Sequence, residues 1–214
     1  MMKDTDLAAL LCSRLCHDLV SPVGALSNGV ELLADGDQDG GPGDAMADQV
    51  LPLLESSARQ TANRLQFYRL AFGAAAGFGA RVDAWELHKT LTDVFDSGRI
   101  TLVWNVECQD FAKDAAKVLL NLAMTAGEAI IRNGQLTVAA SSDGHFSLTV
   151  EAARIVLSEA AEAALISATP PPMEDARAAT AYLARRVTDD LGGRLTIDDE
   201  GTERKRFSVD LPTA

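Results

Sequence analysis

The sequence has few cysteines, no long apolar run and no cluster of basic residues. The cysteines Cys12, Cys16 and Cys108 are odd in number and lack the spacing of a disulfide framework, which indicates a reducing compartment. No apolar stretch reaches the roughly 18 residues of a membrane helix, and the start MMKDTD does not resemble a signal peptide. With 31 acidic and 19 basic residues the net charge is −12, which disfavours binding to nucleic-acid phosphates. We therefore expect a cytoplasmic protein with no membrane and no nucleic acid as partner.

The sequence divides into two regions with different patterns. Its 214 residues, 47% of them hydrophobic, are enough for one large or two small globular domains. Apolar residues recur at steps of three and four in the first region, as in long amphipathic helices. A stretch rich in Gly and Asp at 35–43 predicts a hairpin turn between two such helices. The predicted domains are residues 1–73 and 80–214, divided within the Gly- and Ala-rich stretch 71–80.

The predicted hairpin leaves apolar surface uncovered on both helices. The two apolar stripes are Leu7, Leu11, Leu15, Leu19, Val23, Leu26, Val30 and Leu33 in the first helix, and Met46, Val50, Leu54, Ala58, Ala62, Leu65, Tyr68 and Phe72 in the second. Because one hairpin buries only one side of each stripe, two hairpins paired as a four-helix bundle would form a homodimer. A single hairpin packed on the rest of its own chain is the alternative.

The second region alternates between helix and strand patterns. Helices are predicted at 83–97, 111–132, 158–168 and 173–191, and strands at 99–106, 135–141, 145–151, 194–199 and 205–211. This order predicts an α+β fold in which a layer of helices covers a mixed sheet. The two tryptophans, Trp85 and Trp104, are predicted to lie in its core.

The residues best suited to chemistry surround His17. Because His17 is two residues from the stripe positions Leu15 and Leu19, it is rotated about 200° from the stripe and should face solvent. A neutral imidazole is a nucleophile, and its ordinary pKa lies near neutrality. Asp18, the next residue, could orient or polarise the ring. An ordinary surface histidine is the alternative interpretation.

Five further polar residues extend this candidate site. Arg14 and Ser21 lie one turn before and after His17 on a strip predicted to be exposed, and Arg14 could balance the charge of a phosphoryl group. If the hairpin turn centres near residue 39, His17 is level with about residue 61 of the second helix. Gln60, Asn63 and Arg64 lie at that height and could contact a partner or a phosphoryl group. For each of these three, a solvated polar face is the alternative.

The segment from His17 to Pro22 resembles the phospho-accepting H-box of histidine kinases, His-Asp/Glu-Leu-x-x-Pro. The stretch 118–126 is similar to the kinase N-box, Asn-Leu-x-x-Asn-Ala, and Leu191-Gly-Gly before a strand resembles the segment that closes the kinase ATPase domain. The resemblance covers nearly the whole chain. It implies a dimerising hairpin that carries the phospho-accepting His17, followed by an α/β sandwich of the histidine-kinase ATPase (Bergerat) type.

The sequence departs from the kinase pattern at three places that form the nucleotide site in the kinases. Thr125 stands where the kinases have the second N-box Asn, a magnesium ligand. The stretch 152–156, Ala-Ala-Arg-Ile-Val, replaces the Asp-x-Gly-x-Gly motif, and 176–181 replaces a glycine-rich phosphate loop. Glycines let backbone amides approach phosphates, and larger residues prevent this approach. The resemblance therefore implies a degenerate ATPase domain that does not bind ATP.

This combination resembles the ChpT type of histidine phosphotransferase, found in alphaproteobacterial phosphorelays. The resemblance implies that His17 takes a phosphoryl group from the receiver domain of a hybrid histidine kinase and passes it to receiver domains of response regulators. It also implies no bound cofactor, because magnesium would come from the receiver domain. Phosphoryl transfer depends mainly on positioning and charge neutralisation, which a surface histidine with polar neighbours can supply.

Other interpretations make different predictions. An active histidine kinase with a diverged site would bind magnesium-ATP, which the missing glycines disfavour. A signalling adaptor without chemistry would function without His17. Cys12 and Cys16 beside His17 suggest zinc, but a zinc site needs four ligands and the sequence offers no second cluster, so we expect no metal.

Overall fold

The computed structural model describes residues 2–36, 43–73, 81–95, 98–167 and 175–212. Two long helices are followed by a domain in which helices and strands alternate. The helices are α1 (Asp4–Gly36), α2 (Gly43–Phe72), α3 (Ala84–Phe95), α4 (Lys113–Ala129), α5 (Glu159–Ile166) and α6 (Ala178–Asp190). The strands are β1 (Arg81–Asp83), β2 (Ile100–Val106), β3 (Asp110–Ala112), β4 (Gly134–Ser142), β5 (His145–Ala152), β6 (Arg194–Asp199) and β7 (Arg204–Asp210). The predicted α+β class is confirmed.

The helices α1 and α2 form an antiparallel hairpin. Gly29 of α1 faces Leu54 of α2, whereas Asp18, earlier in α1, contacts Arg64, later in α2. The absence of a side chain at Gly29 lets the helices approach closely there, since a Cβ would lie 2.6 Å from Leu54 Cδ2. Most of the predicted turn, residues 37–42, lies outside the described residues.

The main sheet has five strands in the order β2-β4-β5-β7-β6. Strands β2 and β4 are parallel and the other neighbours are antiparallel, so the predicted mixed sheet is confirmed. Alternate residues of its central strands are buried beneath the helices, as period-two patterning requires: Leu136, Val138, Leu148, Val150, Phe207 and Val209. A second sheet pairs β1 with β3, and the sequence prediction missed it because three-residue strands are too short to show alternation.

The end of α2 packs on the domain that follows it. Phe67, Tyr68, Leu70 and Ala71 are buried in the same core as α3 and α4. Packing of the hairpin on its own chain therefore occurs at this end. The described parts of α1 and α2 also expose large apolar side chains along their length, namely Val20, Val23, Val30, Leu32, Met46, Leu51, Leu53 and Leu65. The boundary between the predicted domains falls on residues 74–80, outside the described residues, so the domain limits stay a prediction.

The predicted core position of Trp85 is wrong. Trp85 is 68% exposed at the start of α3, where its backbone N–H donates to Asp83 Oδ1 at 2.7 Å. This capping interaction starts the helix with Trp85 on its outer face, while Leu87 and Leu91 face the core. Trp104 is half-buried, and its ring stacks on His88 with centroids 5.1 Å apart.

Candidate functional site

The side chain of His17 projects from α1 into solvent, as the sequence predicts. It is 65% exposed, and its Nδ1 lies 3.0 Å from Oδ1 of Asp18. A carboxylate at this distance accepts a hydrogen bond from Nδ1 when that nitrogen carries the proton. The neutral ring then has its lone pair on Nε2. The contact thus gives Nε2 the character of a nucleophile.

Asp18 is itself held by side chains of both helices. Its Oδ2 accepts hydrogen bonds from the Tyr68 hydroxyl and from Arg14 Nε, the latter at 3.1 Å, while Arg64 donates to its backbone carbonyl. Burial alone would raise the pKa of Asp18, but the Tyr68 hydrogen bond and the positive charge of Arg14 hold it below its ordinary value. Asp18 is therefore an ionised, fixed acceptor for His17 at neutral pH.

The predicted exposure of Arg14 is wrong. Its side chain is only 5% exposed and lies between the hairpin and α4. There its Nη2 pairs with Glu128, and its Nε contacts Asp18 and the Tyr68 hydroxyl. The burial results from packing of the hairpin on α4, which the helical pattern of α1 alone does not reveal. The guanidinium thus has partners within the protein and does not stand free beside His17.

His17 and Asp18 lie in a cleft of about 590 Å³ between the hairpin and the following domain, here called the His17 cleft. The structure brings three residues of the predicted α2 set to this cleft. Gln60 is exposed, Asn63 donates Nδ2 to the carbonyl of Asp93 at 3.0 Å, and Arg64 binds the Asp18 carbonyl. Ser21 is exposed one turn after His17 and is not among the residues that line the cleft.

The His17 cleft has more basic than acidic residues in its lining, in a chain of net charge −12, because five arginines stand against Asp18, Asp93 and Glu128. The arginines that line it are Arg14, Arg59, Arg64, Arg99 and Arg177. Arg99 precedes β2 and Arg177 precedes α6, so the cleft draws basic residues from both parts of the chain. Such a cluster suits an anionic group or an acidic protein surface.

Sequence reasoning missed two residues that act on this site. Tyr68 was interpreted only as part of an apolar stripe, although it stands one turn after Arg64 and so lies on the side that faces His17. Glu128 is the only charged residue between Lys117 and Arg132, within the otherwise buried face of α4. A lone acid in such a run signals a buried cation as its partner.

The residues similar to an N-box are engaged within the protein. Asn121 donates Nδ2 to the carbonyls of Ala71 at 3.0 Å and Lys117 at 2.9 Å. Thr125 donates Oγ1 to the Asn121 carbonyl at 2.9 Å, and its Oγ1 lies 3.0 Å from that of Thr180 on α6. The amide nitrogen of Asn121 and the hydroxyl of Thr125 are therefore used in hydrogen bonds of α4 to α2 and α6, whereas Oδ1 of Asn121 is buried without a hydrogen-bond partner.

Cys12 and Cys16 are both exposed free thiols. Across the described ranges, no group of three or more His, Cys, Asp or Glu side chains is placed to hold a metal ion. The helices within those ranges also include none whose length and apolar content would let it span a bilayer.

A solvent-facing imidazole that is oriented by a fixed carboxylate, beside a concentration of arginines, can accept a phosphoryl group and release it again. With the helical hairpin and the α/β domain behind it, this arrangement defines the class of histidine phosphotransferases. The model of the family described as "Histidine phosphotransferase C-terminal domain" matches residues 84–203. The chain belongs to this family, and the family predicted from the sequence is confirmed.

Known proteins with similar sequences and structures agree with this assignment. The chain is 35% identical over 195 residues, 90% of each protein, to "Protein phosphotransferase ChpT" of Brucella abortus (strain 2308). A solved structure described as a bacterial phosphotransferase is 33% identical over 98% of each chain, with a TM-score of 0.82. The histidine kinase AdeS of Acinetobacter baumannii is 12% identical over 91% of this chain and 96% of that one, with a TM-score of 0.44. The predicted phosphotransferase class, of the ChpT type, is therefore confirmed.

Proposed function

We propose that His17 carries a phosphoryl group between aspartates of receiver domains, taking it from a hybrid histidine kinase and delivering it to response regulators. The observation that carries this proposal is the exposed imidazole of His17, whose Nδ1 lies 3.0 Å from Asp18 Oδ1 beside an arginine-lined cleft. The same proposal places the protein in the cytoplasm, where such kinases and regulators would meet it.

The transfer requires one nucleophile and charge neutralisation. Nε2 of His17 attacks the phosphorus of the receiver's acyl phosphate, a P–N bond forms, and the aspartate leaves as its P–O bond breaks. The reverse step delivers the group to the aspartate of the second receiver. Magnesium belongs to the receiver's site and neutralises the phosphoryl oxygens. The guanidinium groups of the His17 cleft support docking of the acidic receiver site.

The relay would proceed without ATP. Thr125, at the position of a kinase magnesium ligand, contacts Thr180, and Asn121 binds the Ala71 carbonyl. Three small residues at the start of α6, Ala178, Ala179 and Ala181, are fully buried. Close packing of this kind is difficult to open for a nucleotide, because separating the helices would expose apolar surface and unpair buried hydroxyls.

The proposal includes a homodimer. Val23 and Val30 of α1 and Leu51 and Leu65 of α2 are exposed large apolar residues. On each helix, steps of seven residues, or multiples of seven, return to nearly the same side. Each pair of side chains thus forms an apolar strip along its own helix, and a second hairpin would cover both strips in the proposed four-helix bundle.

A radiolabelled phosphotransfer assay tests the relay. The wild type, His17→Ala and the control His145→Ala, which replaces an exposed histidine on β5 far along the chain, would each be incubated with labelled ATP. A hybrid kinase with its receiver would then be added. We expect label only after the kinase is added, in the wild type and His145→Ala but not in His17→Ala. Label from ATP alone would indicate a kinase, and a relay that persists in His17→Ala would indicate an adaptor.

A further inference from the structure

A chain of charged side chains connects α4 to His17. Glu128 of α4 pairs with Nη2 of Arg14, whose Nε donates to Asp18 Oδ2 at 3.1 Å. The other oxygen, Asp18 Oδ1, lies 3.0 Å from His17 Nδ1. We propose that Glu128 is a positioning residue for His17 and acts through Arg14 and Asp18. This inference rests on the proposed role of His17 as phosphoryl carrier.

Arg14 depends on Glu128 because its guanidinium is buried. A buried charge is costly unless it is paired, and the Arg14 side chain is 5% exposed. Burial would lower the pKa of Arg14, but the hydrogen bond and charge of Glu128, with the charge of Asp18, hold it above its ordinary value. Burial holds the pKa of Glu128 above its ordinary value, and the hydrogen bond and charge of Arg14 limit that rise. Each of the two side chains thus keeps the other charged and in place.

The position of Arg14 determines how Asp18 meets the imidazole. Because Arg14 Nε and the Tyr68 hydroxyl both donate to Oδ2, Oδ1 is turned toward His17. If Arg14 lost Glu128, it could follow Asp18 or swing away, and only the Tyr68 hydroxyl would then hold Oδ2, so the carboxylate would rotate more easily. The proton of the neutral ring would then be held less firmly on Nδ1. The lone pair on Nε2 would be present for only part of the time.

The arrangement gives α4 a function at the reacting side chain. Glu128 lies on the helix whose Asn121 and Thr125 are engaged in packing, so the second domain contributes to the site through an ion pair. Glu128 contacts neither His17 nor the phosphoryl group in this scheme. Its effect is on the orientation and tautomer of the imidazole. If the Glu128–Arg14 ion pair only joined the two parts of the chain, its loss would change the stability of the protein without changing the tautomer of His17.

The test is nitrogen-15 NMR of the His17 ring in the full chain, because imidazole nitrogen shifts report which nitrogen carries the proton. We compare the wild type with Glu128→Gln, which removes the charge at nearly constant size. The control is Glu162→Gln, an exposed glutamate on α5. We expect the Nδ1–H form in the wild type and the control, and a shift toward the Nε2–H form in Glu128→Gln.

A rate measurement without a partner protein supplies the second readout. Phosphoramidate, a small phosphoryl donor, reacts as His17 Nε2 attacks phosphorus, the P–N bond of the donor breaks and ammonia leaves. At pH 8 we expect Glu128→Gln to react roughly three- to tenfold more slowly, as for other coupled contact pairs. Glu162→Gln should react at the wild-type rate.

Two results would overturn the inference. The first is a folded Glu128→Gln protein with the wild-type tautomer and the wild-type rate. If Glu128→Gln does not fold, Glu128→Asp takes its place, since it keeps the charge but withdraws it by one methylene. The second result that would overturn the inference is a folded Glu128→Asp protein with the wild-type tautomer of His17. A relay that persists in His17→Ala would instead refute the role of His17 as phosphoryl carrier. In that case, comparing the His17 tautomer of the wild type and Glu128→Gln would still test whether Glu128 positions the imidazole.

Discussion

Gly29 of α1 lies so close to Leu54 of α2 that an added Cβ would stand 2.6 Å from Leu54 Cδ2 and 3.4 Å from Val50 Cγ1. The hairpin therefore closes over a position that has no side chain. Twelve residues earlier, the same pair of helices forms the His17 site, where Arg64 of α2 donates to the Asp18 carbonyl. Separation of the helices at Gly29 would therefore also disturb the contacts between α1 and α2 at the His17 site.

A leucine at Gly29 should destabilise the protein by about 1–3 kcal/mol, the usual cost of overpacking a close contact. Urea unfolding of Gly29→Leu and wild type measures this difference. Gly24→Leu is the matched control, because a Cβ at Gly24 of the same helix has nothing within 4 Å. Equal free energies of unfolding for the two variants would contradict the close approach.

Asp18→Asn should destabilise the protein at neutral pH by about 1–3 kcal/mol, because the amide leaves buried donors of Tyr68 and Arg14 poorly paired. The pKa of Asp18 is lower in the folded than in the unfolded chain, so its ionised form favours folding. This contribution is fully present above the unfolded value, about 4. It is lost as the pH falls through the folded value.

Thermal unfolding of the wild type and Asp18→Asn from pH 7 to pH 2.5 measures this dependence. We expect the two melting temperatures to approach each other as the pH falls below about 4 and to converge once the pH passes the lower pKa of the folded wild-type carboxyl. A constant difference over the whole range would show that the charge of Asp18 does not contribute to the folded state. Glu55→Gln, at an exposed position of α2, is the control for a general loss of negative charge.

Leu51→Asp should convert the proposed dimer into a monomer, whereas Leu53→Asp should not. Both leucines are exposed on α2, by 53% and 68%, but two helical steps turn them about 200° apart. Leu51 shares the side of Leu65, and a charge buried between two hairpins is costly. Light scattering gives the mass of each variant. A wild-type mass of one chain, or a dimer that survives Leu51→Asp, would refute this arrangement.

Thr125→Asn restores the residue type that kinases have at this N-box position, and we expect it to give no binding of magnesium-ATP. Thr125 is only 2% exposed, and its hydroxyl contacts that of Thr180 on α6. A larger amide there should instead cost about 1–3 kcal/mol of stability through overpacking. Calorimetric titration with magnesium-ATP and unfolding of the same sample provide both measurements, with Thr125→Ser as the control that keeps the hydroxyl. Heat of ATP binding to either variant would contradict the ATP-independent relay.

The fold could be predicted from the sequence wherever periodicity extended over many residues. The stripe of α1 and the alternation along β4 and β5 identify their elements directly. Strands β1 and β3 are three residues each, so no period can be read from them. Trp85 was misplaced because residue type favours burial, while the Asp83 cap fixes which face of α3 it occupies.

The exposed position of His17 followed from helical geometry within one element. The partners of Arg14 did not, because Glu128 is separated from it by 114 residues and the pairing arises only when the hairpin packs on α4. A pattern within one helix gives the direction of a side chain relative to that helix. It contains no information about what the rest of the chain places there.

The alanine-lined contact between α6 and α4 has a consequence for how much folded protein is present. Proteins that bind a nucleotide in their native state gain stability as its concentration rises. The burial of Ala178, Ala179 and Ala181 on α6 supports the proposal that this domain binds no ATP, and a domain that binds no ATP would have no such dependence. The folded fraction of the protein would then be the same at low and at high ATP concentration. Only the supply of phosphoryl groups would then depend on the energy status of the cell.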